Sequence, residues 1–342
     1  MRQHEAGISS ALRAVKPIPR SLSDAVRVTR PQSPVDIPAI VESVNQDDLR
    51  LWAEANRELI HKLLEEYGAV LVRGFRIDSA ADFGTAVDAA LGTRIQYTNR
   101  SSPRTSVGDR IYTSTDYPNY LPIFPHNEHG YSPIFPLYLA FGCMQPAVSG
   151  GATPIGSTRK VGASVPAWIR ERFRKKGILY LRNHQEGFGL PWQKSFQTTE
   201  REEVERYCAE RGIQCEWRSD GVLRTRRIGP AEIAHPLTGE QIWFNHATFY
   251  HVSTLPELMR QEVLAAFAED ELPNQTYYGD GSSIEPEVLG ELRAAYTKPL
   301  YRFDWRRGDV LLLDNMLAVH ARDPFSGPRR VLVSMVQEIR VA

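Results

Sequence analysis

The chain has 342 residues, 42% of them hydrophobic and 24% charged, and its 41 basic and 41 acidic side chains cancel. That length exceeds an average domain but fits one large β-rich one, and the apolar fraction is enough to bury a sizeable core. The cancelled charge argues against a general electrostatic grip on nucleic acid or an anionic membrane, and no apolar run nears the roughly 20 residues that span a bilayer.

Residues 1–40 carry Pro17, Pro19, Pro31, Pro34 and Pro38 and read as an extended N-terminal arm. Met1 to Pro34 is polar with no apolar h-region, which argues against a secretory signal. Residues 41–342 show no internal repeat and no long linker, and read as one domain. From Asp47 to Tyr67 the apolar residues Leu49, Trp52, Leu59, Ile60, Leu63 and Leu64 fall near one face of a helix that Gly68 stops. Ala69–Arg73 reads as a strand. Ser79 with Asp82 resembles a capping box opening a helix to about Leu91, and Thr199 with Glu202 resembles another, to about Arg211. A further helix is expected from Pro256 to Asp270. Short strands are expected at residues 136–144, 178–182, 233–235, 241–245, 309–313 and 329–340. This is a mainly β chain with flanking helices, a sandwich or jelly roll. No Gly-x-Gly-x-x-Gly follows a strand, so a Rossmann fold fits poorly. Cys143, Cys208 and Cys215 are odd in number and have no paired spacing. They read as packing residues of a protein in a reducing cytoplasm, not as a disulfide framework or zinc knuckle.

Two His-x-acid pairs occur, His126-Asn127-Glu128 and His184-Gln185-Glu186, and composition alone would supply such a pair by chance. Context separates them. The first is followed by Gly150-Gly151-Ala152-Thr153-Pro154, a turn and strand start. A third candidate, His320, follows the turn, apolar strand and polar exit of Gly308–Asn315. The second pair lies in a Gly-bounded segment and reads as surface loop or site rim. Two histidines and one carboxylate hold one face of an Fe(II) ion and leave the other open, although the same donors also bind Zn(II).

The segments 68–75, His126-Asn127-Glu128, 150–154, His235-Pro236-Leu237-Thr238-Gly239 and Gly308–His320 stand in one order. Together they resemble the taurine dioxygenase-like and clavaminate synthase-like Fe(II)/2-oxoglutarate oxygenases over residues 45–340. Trp243-Phe244-Asn245, Tyr277-Tyr278-Gly279-Asp280-Gly281 and Leu313–Met316 with Asp323-Pro324-Phe325 resemble the branch of syringomycin-type amino-acid hydroxylases.

The resemblance implies a double-stranded β-helix. It implies Fe(II) held by His126, Glu128 and His320, with 2-oxoglutarate and O₂ as co-substrates. Arg329 is the favoured cation for the far carboxylate of 2-oxoglutarate and Arg330 the reserve, because successive strand residues face opposite sides and only one points inward. Thr153 resembles the family's threonine that bonds the same carboxylate. The implied reaction hydroxylates an unactivated C–H bond of an amino acid or amino-acid-derived small molecule, free or carrier-bound, in natural-product biosynthesis, with release of succinate and CO₂. Related halogenases lack the carboxylate that Glu128 supplies, so hydroxylation is favoured, with desaturation or cyclisation as alternatives.

Phe188, Trp192, Arg226 and Asn245 are the candidate substrate contacts, the first two on a Gly/Pro-rich loop. His246 and His251 read as lining or structural, and His129 as pointing away from Glu128 on a strand. Asp309 and Asp314 read as turn holders. Arg224, Arg226 and Arg227 read as a solvated strand edge, or as partners of a substrate carboxylate or a carrier's phosphopantetheine. A zinc hydrolase and a non-catalytic jelly-roll binding protein are the competing readings, and a DNA- or histone-directed oxygenase is disfavoured by the even charge.

Overall fold

The computed structural model describes residues 25–33, 35–96, 104–114 and 117–341. Two sheets face each other. The larger has eight strands in the order Val26–Thr29, Ala39–Ser43, Ala69–Arg73, Val310–Asp314, Ile134–Gln145, Arg330–Arg340, Ile111–Thr113 and Ser106–Gly108. The smaller has four, Leu300–Tyr301, Ile155–Ser157, Ala318–Arg322 and Ile123–His126. This is a jelly roll flanked by helices.

The apolar runs are explained by which side each residue faces. In Val310–Asp314, Leu311 and Leu313 pack into the space between the sheets with Leu139, Phe141 and Val333. Val310 and Leu312 pack the other way, onto Ile60, Leu63 and Phe83 of the outer helices. A strand covered on both faces shows no polar alternation. The central strand Ile134–Gln145 pairs with Val310–Asp314 on one side and Arg330–Arg340 on the other. Its Pro136 lies past the last pair with Val310–Asp314, where the side chain of Asn315 takes over and donates to the Pro136 carbonyl at 2.9 Å. Gly142 lets the Ala80–Leu91 helix close down, since a Cβ there would stand 2.5 Å from the Phe83 ring.

Several expected elements shift. The Asp47–Tyr67 helix is two, Leu49–Ala55 and Arg57–Tyr67. Asn56 breaks it by turning its side chain back to the Trp52 carbonyl at 2.9 Å, a local bond that competes with the helix. The Ser79/Asp82 capping box forms. The Thr199/Glu202 box does not: the helix runs Arg201–Ala209, Glu200 takes the cap position, and the Thr199 hydroxyl donates to the Glu200 carboxylate instead. The Pro256–Asp270 helix is shorter, Glu257–Ala266. Residues 1–24 of the expected arm lie outside the described residues. Farther on, Val26–Thr29 joins the edge of the large sheet by pairing with Ala39–Ser43, so this part of the arm is sheet.

A third sheet has the order Gln214–Trp217, Leu223–Gly229, Ile178–His184 and Asn274–Tyr278. Only its Ile178–His184 strand was expected, as 178–182. Helices Ala167–Lys176 and Pro286–Thr297 pack against it through Phe173, Ile178, Tyr278 and Leu289. Among the described residues, no helix is long and apolar enough to cross a membrane.

Candidate active site

The Ile123–His126 and Ala318–Arg322 strands bring His126 and His320 into register as direct partners. Their rings lie 4.4 Å apart, centre to centre. The chain then turns, and Glu128 comes in beside them. One donor atom from each of His126, Glu128 and His320 lies within 4.8 Å of the other two. His126 Nδ1 donates to the Phe124 carbonyl at 2.8 Å, since a carbonyl only accepts, so Nε2 keeps its lone pair for a ligand. Its ring stacks on Phe249 at 4.2 Å. Burial pushes both histidines down, His320 well below the usual range, so both are neutral donors.

Glu128 is fixed by its backbone and by its charge. Asn315 accepts from the Glu128 N–H at 2.7 Å and donates to the Glu128 carbonyl at 2.9 Å. Its carboxylate accepts from Arg104 at 2.7 Å, with both side chains buried. Burial would raise this carboxyl, but Arg104 first, then His129, His126 and His320, outweigh that and hold it at about 2. Arg104 was not foreseen, because a lone Arg 24 residues before a ligand carries no sequence signal.

The cavity beside His126 and His320 is also lined by Thr153, Ser114 and Arg329. Arg329 donates to the Gly151 carbonyl at 3.0 Å, Ser114 Oγ at 3.2 Å and Thr153 Oγ1 at 3.3 Å. Those neutral acceptors leave its charge uncompensated, and no carboxylate among the described residues pairs with it. Burial, with Arg322 adding, lowers the guanidinium to about 10. The Thr153 hydroxyl also accepts from Trp305 Nε1 at 3.0 Å, which leaves its own proton to donate. Arg330 starts the last strand and is exposed. Arg322 lines the cavity too, but carbonyls of Tyr117, Pro118 and Leu121 accept from it.

The other candidates fall elsewhere. None of Phe188, Trp192, Arg226 and Asn245 lines this cavity. Phe188 stacks on Phe267 at 4.7 Å. Trp192 is core, packed with Val204, Cys208 and Leu223. Arg226 pairs with Glu216 at 2.7 Å, and buried Asn245 bonds the backbone of Ala231 and Ala247. His129 corrects the strand expectation: it sits in a turn with φ of 59°, its Nε2 3.7 Å from Glu128 Oε1. His184 is not on a loop but buried at a strand end, against Ser195 and Thr225 hydroxyls at 3.1 and 3.3 Å. His246 is buried and donates to the Asn127 carbonyl at 2.6 Å behind the ligand turn. His251 caps a short 3₁₀ turn. Asp309 accepts from the Arg306 N–H and pairs with Arg73, while Asp314 accepts from the Met316 and Leu317 N–H groups and from His235.

Two neutral imidazoles and one charged carboxylate, converging inside a jelly roll, define a facial iron site of the non-haem oxygenase class. The sequence model of the taurine catabolism dioxygenase TauD, TfdA family matches residues 29–336, and the chain belongs to that family. It is 39% identical over 280 residues to the dapdiamide synthesis protein DdaC of Enterobacter agglomerans, covering 82% of this chain and 85% of that one. It is 28% identical to a clavaminate synthase-like protein of Arabidopsis thaliana, covering 94% of each. PvcB of Pseudomonas aeruginosa shares the fold at a TM-score of 0.55, with 15% identity and 98% of each chain covered. A Burkholderia xenovorans taurine dioxygenase-like structure does so at 0.53, with 15% identity, 93% of this chain and 98% of that one. The protein is thus an Fe(II)/2-oxoglutarate-dependent oxygenase, with O₂ as the co-substrate of its class.

Proposed function

We propose that this enzyme hydroxylates an unactivated C–H bond of an amino acid or amino-acid-derived small molecule in natural-product biosynthesis, releasing succinate and CO₂. The observation that carries the site assignment is one cavity with two metal-ligand histidines at one end and the uncompensated Arg329 guanidinium in its wall. In this reading His126, Glu128 and His320 hold Fe(II), which with 2-oxoglutarate and O₂ supplies the power to abstract a hydrogen atom. Arg329 holds the far carboxylate of 2-oxoglutarate by a charge-assisted fork, and Thr153 donates to the same group. Asn315 and Arg104 keep the Glu128 carboxylate aimed, Arg104 by occupying Oε2 and leaving Oε1 to the metal. Glu128 fills the position that would otherwise admit a halide, which supports hydroxylation over halogenation. Biosynthesis rests on relatives: DdaC is a dapdiamide synthesis protein, and PvcB is an oxygenase from an isonitrile synthetic pathway.

The test is Fe(II) and 2-oxoglutarate added without oxygen to metal-free protein, watching for the visible charge-transfer band of the chelated complex. The band is expected in the native protein, lost in His126→Ala and weakened in Arg329→Ala. Folded protein that gives no band overturns the assignment. Hydroxylated product with one succinate per turnover, once a substrate is in hand, separates hydroxylation from desaturation or cyclisation.

A further inference from the structure

A second cavity opens against the far side of the turn that carries Glu128. The third sheet makes one wall. Tyr180 pairs with Arg227 and Arg182 with Thr225 across the ladder, and direct partners project on one face, so these four share it. The opposite wall is Tyr131, Ser132 and Pro133, just past Glu128. Two bonds fix the sheet to the ligand turn: Tyr180 Oη donates to the Gly130 carbonyl at 3.4 Å, and Arg227 Nη1 donates to the Tyr131 carbonyl at 3.1 Å.

The cavity is cationic. Arg182 is buried, 8% exposed, with its guanidinium 4.7 Å from the Tyr131 ring centre and its Nε donating to Asn274 Oδ1 at 3.2 Å. Among the described residues no carboxylate pairs with Arg227. The neighbouring arginines of the same strand are spent elsewhere: Arg224 pairs with Asp270 at 3.3 Å and Arg226 with Glu216 at 2.7 Å. Strand alternation thus splits the Arg224–Arg227 cluster into two residues paired with acids and one turned into the hollow. Phe196 and Ile213 supply apolar wall, and the Ser132 and Thr225 hydroxyls supply polar contacts.

We propose that Arg182 and Arg227 form a carboxylate-binding subsite for the substrate, an anionic small molecule with an apolar or aromatic body. The proposal deepens the oxygenase reading and rests on it for the word substrate. A planar guanidinium fork on a nearly enclosed floor matches a carboxylate, and the flanking rings match a flat or apolar body. Because the ligand turn forms one wall, a molecule anchored here lies against the segment that carries Glu128.

The probe is benzoate, with benzamide as its neutral isostere. Each is titrated by ligand-observed NMR into protein holding Zn(II) and saturating 2-oxoglutarate, so that Arg329 is occupied. Benzoate is expected to bind and benzamide to bind far less. Arg227→Gln and Arg182→Gln are each expected to weaken benzoate about tenfold, and Arg226→Gln to leave it unchanged. Arg227→Lys, which keeps the charge and loses the fork, falls between. No benzoate binding to folded protein, or equal binding in Arg227→Gln, overturns the proposal. Inorganic phosphate bound more tightly than benzoate, with the same arginine dependence, also overturns it and points to a carrier's phosphopantetheine arm. Failure of the oxygenase reading shows separately, as a missing iron–2-oxoglutarate band, which does not involve Arg227.

Discussion

Arg329 and Arg227 each bring a half-buried guanidinium to the wall of a cavity, but from different scaffolds. Arg329 stands at the start of the last strand of the roll, and its acceptors, the Gly151 carbonyl, Ser114 and Thr153, come from turns and strand ends of the same roll. Arg227 stands on the third sheet, which the chain builds between strands of the roll and ties to the ligand turn through the Tyr131 and Gly130 carbonyls. The first cation is placed by the framework that places the metal ligands. The second is placed by an added layer that leans on that framework. On this contrast, co-substrate binding and substrate choice are separable: changes to the third sheet can alter the second cavity while the triad stays as it is.

The largest expected effect comes from breaking the shared framework. Asn315→Ala would leave the Glu128 N–H and the Glu128 and Pro136 carbonyls buried without their side-chain partner. Each buried unsatisfied group costs about 1–3 kcal/mol, so urea unfolding should show a loss of about 3 kcal/mol or more, and metal affinity should fall with it. A loss below about 1 kcal/mol would show that the ligand turn holds without Asn315. Next comes the cation of the roll. Arg329→Ala should raise the KM for 2-oxoglutarate by roughly ten- to a hundredfold, the worth of a charge-assisted contact, and Arg330→Ala should leave it nearly unchanged. Equal effects of the two would break the alternation argument.

Arg104→Met sharpens the contrast from the metal side. Second-layer partners of metal ligands are worth about 10–100-fold in affinity, and calorimetric Zn(II) binding should fall in that range while benzoate binding at Arg227 stays. The variant should also change acid stability. Glu128 is held at about 2 in the fold, below the ordinary carboxylate value of 4.5. Its contribution to stability is therefore present above that ordinary value and lost as pH falls toward 2. Without Arg104 the folded-state value rises, the favourable gap narrows or closes, and the metal-free variant should be less stable than the native chain at pH 7, with the difference shrinking at low pH.

The two regions also differ in how far they could be read from the sequence. The triad was legible because its residue types are scarce and their flanks, a Gly-Gly turn after one pair and a buried strand before His320, say where a strand ends. Arg329 over Arg330 followed from strand alternation. The third sheet was mostly illegible. Leu223–Gly229 reads Leu-Arg-Thr-Arg-Arg-Ile-Gly, a charged run with little β signal, and it is a strand because Ile178–His184 pairs along its whole length. Trp192 looked like a lid residue because its loop is rich in Gly and Pro, yet Val204, Cys208 and Leu223 from later in the chain close over it. Arg104 and Arg182 matter only through partners that folding brings to them, Glu128 in one case and the Tyr131 ring in the other.

The smallest expected effect concerns the third sheet alone. His184 is buried between Ser195 and Thr225, and burial holds it well below the usual histidine value of 6.5. The unfolded chain takes up this proton below about pH 6.5 and the folded chain does not, so acid favours unfolding. One such proton contributes a slope of about 1.4 kcal/mol per pH unit. His184→Gln, which keeps hydrogen-bonding capacity but cannot titrate, should remove that share of the slope between pH 6 and 4, at a modest cost in stability at pH 7. The iron–2-oxoglutarate band should be unaffected at neutral pH, because His184 touches the third sheet and not the roll. A band that weakened in this variant would mean that the added layer and the metal framework are one mechanical unit, and the separation of substrate choice from co-substrate binding would fail with it.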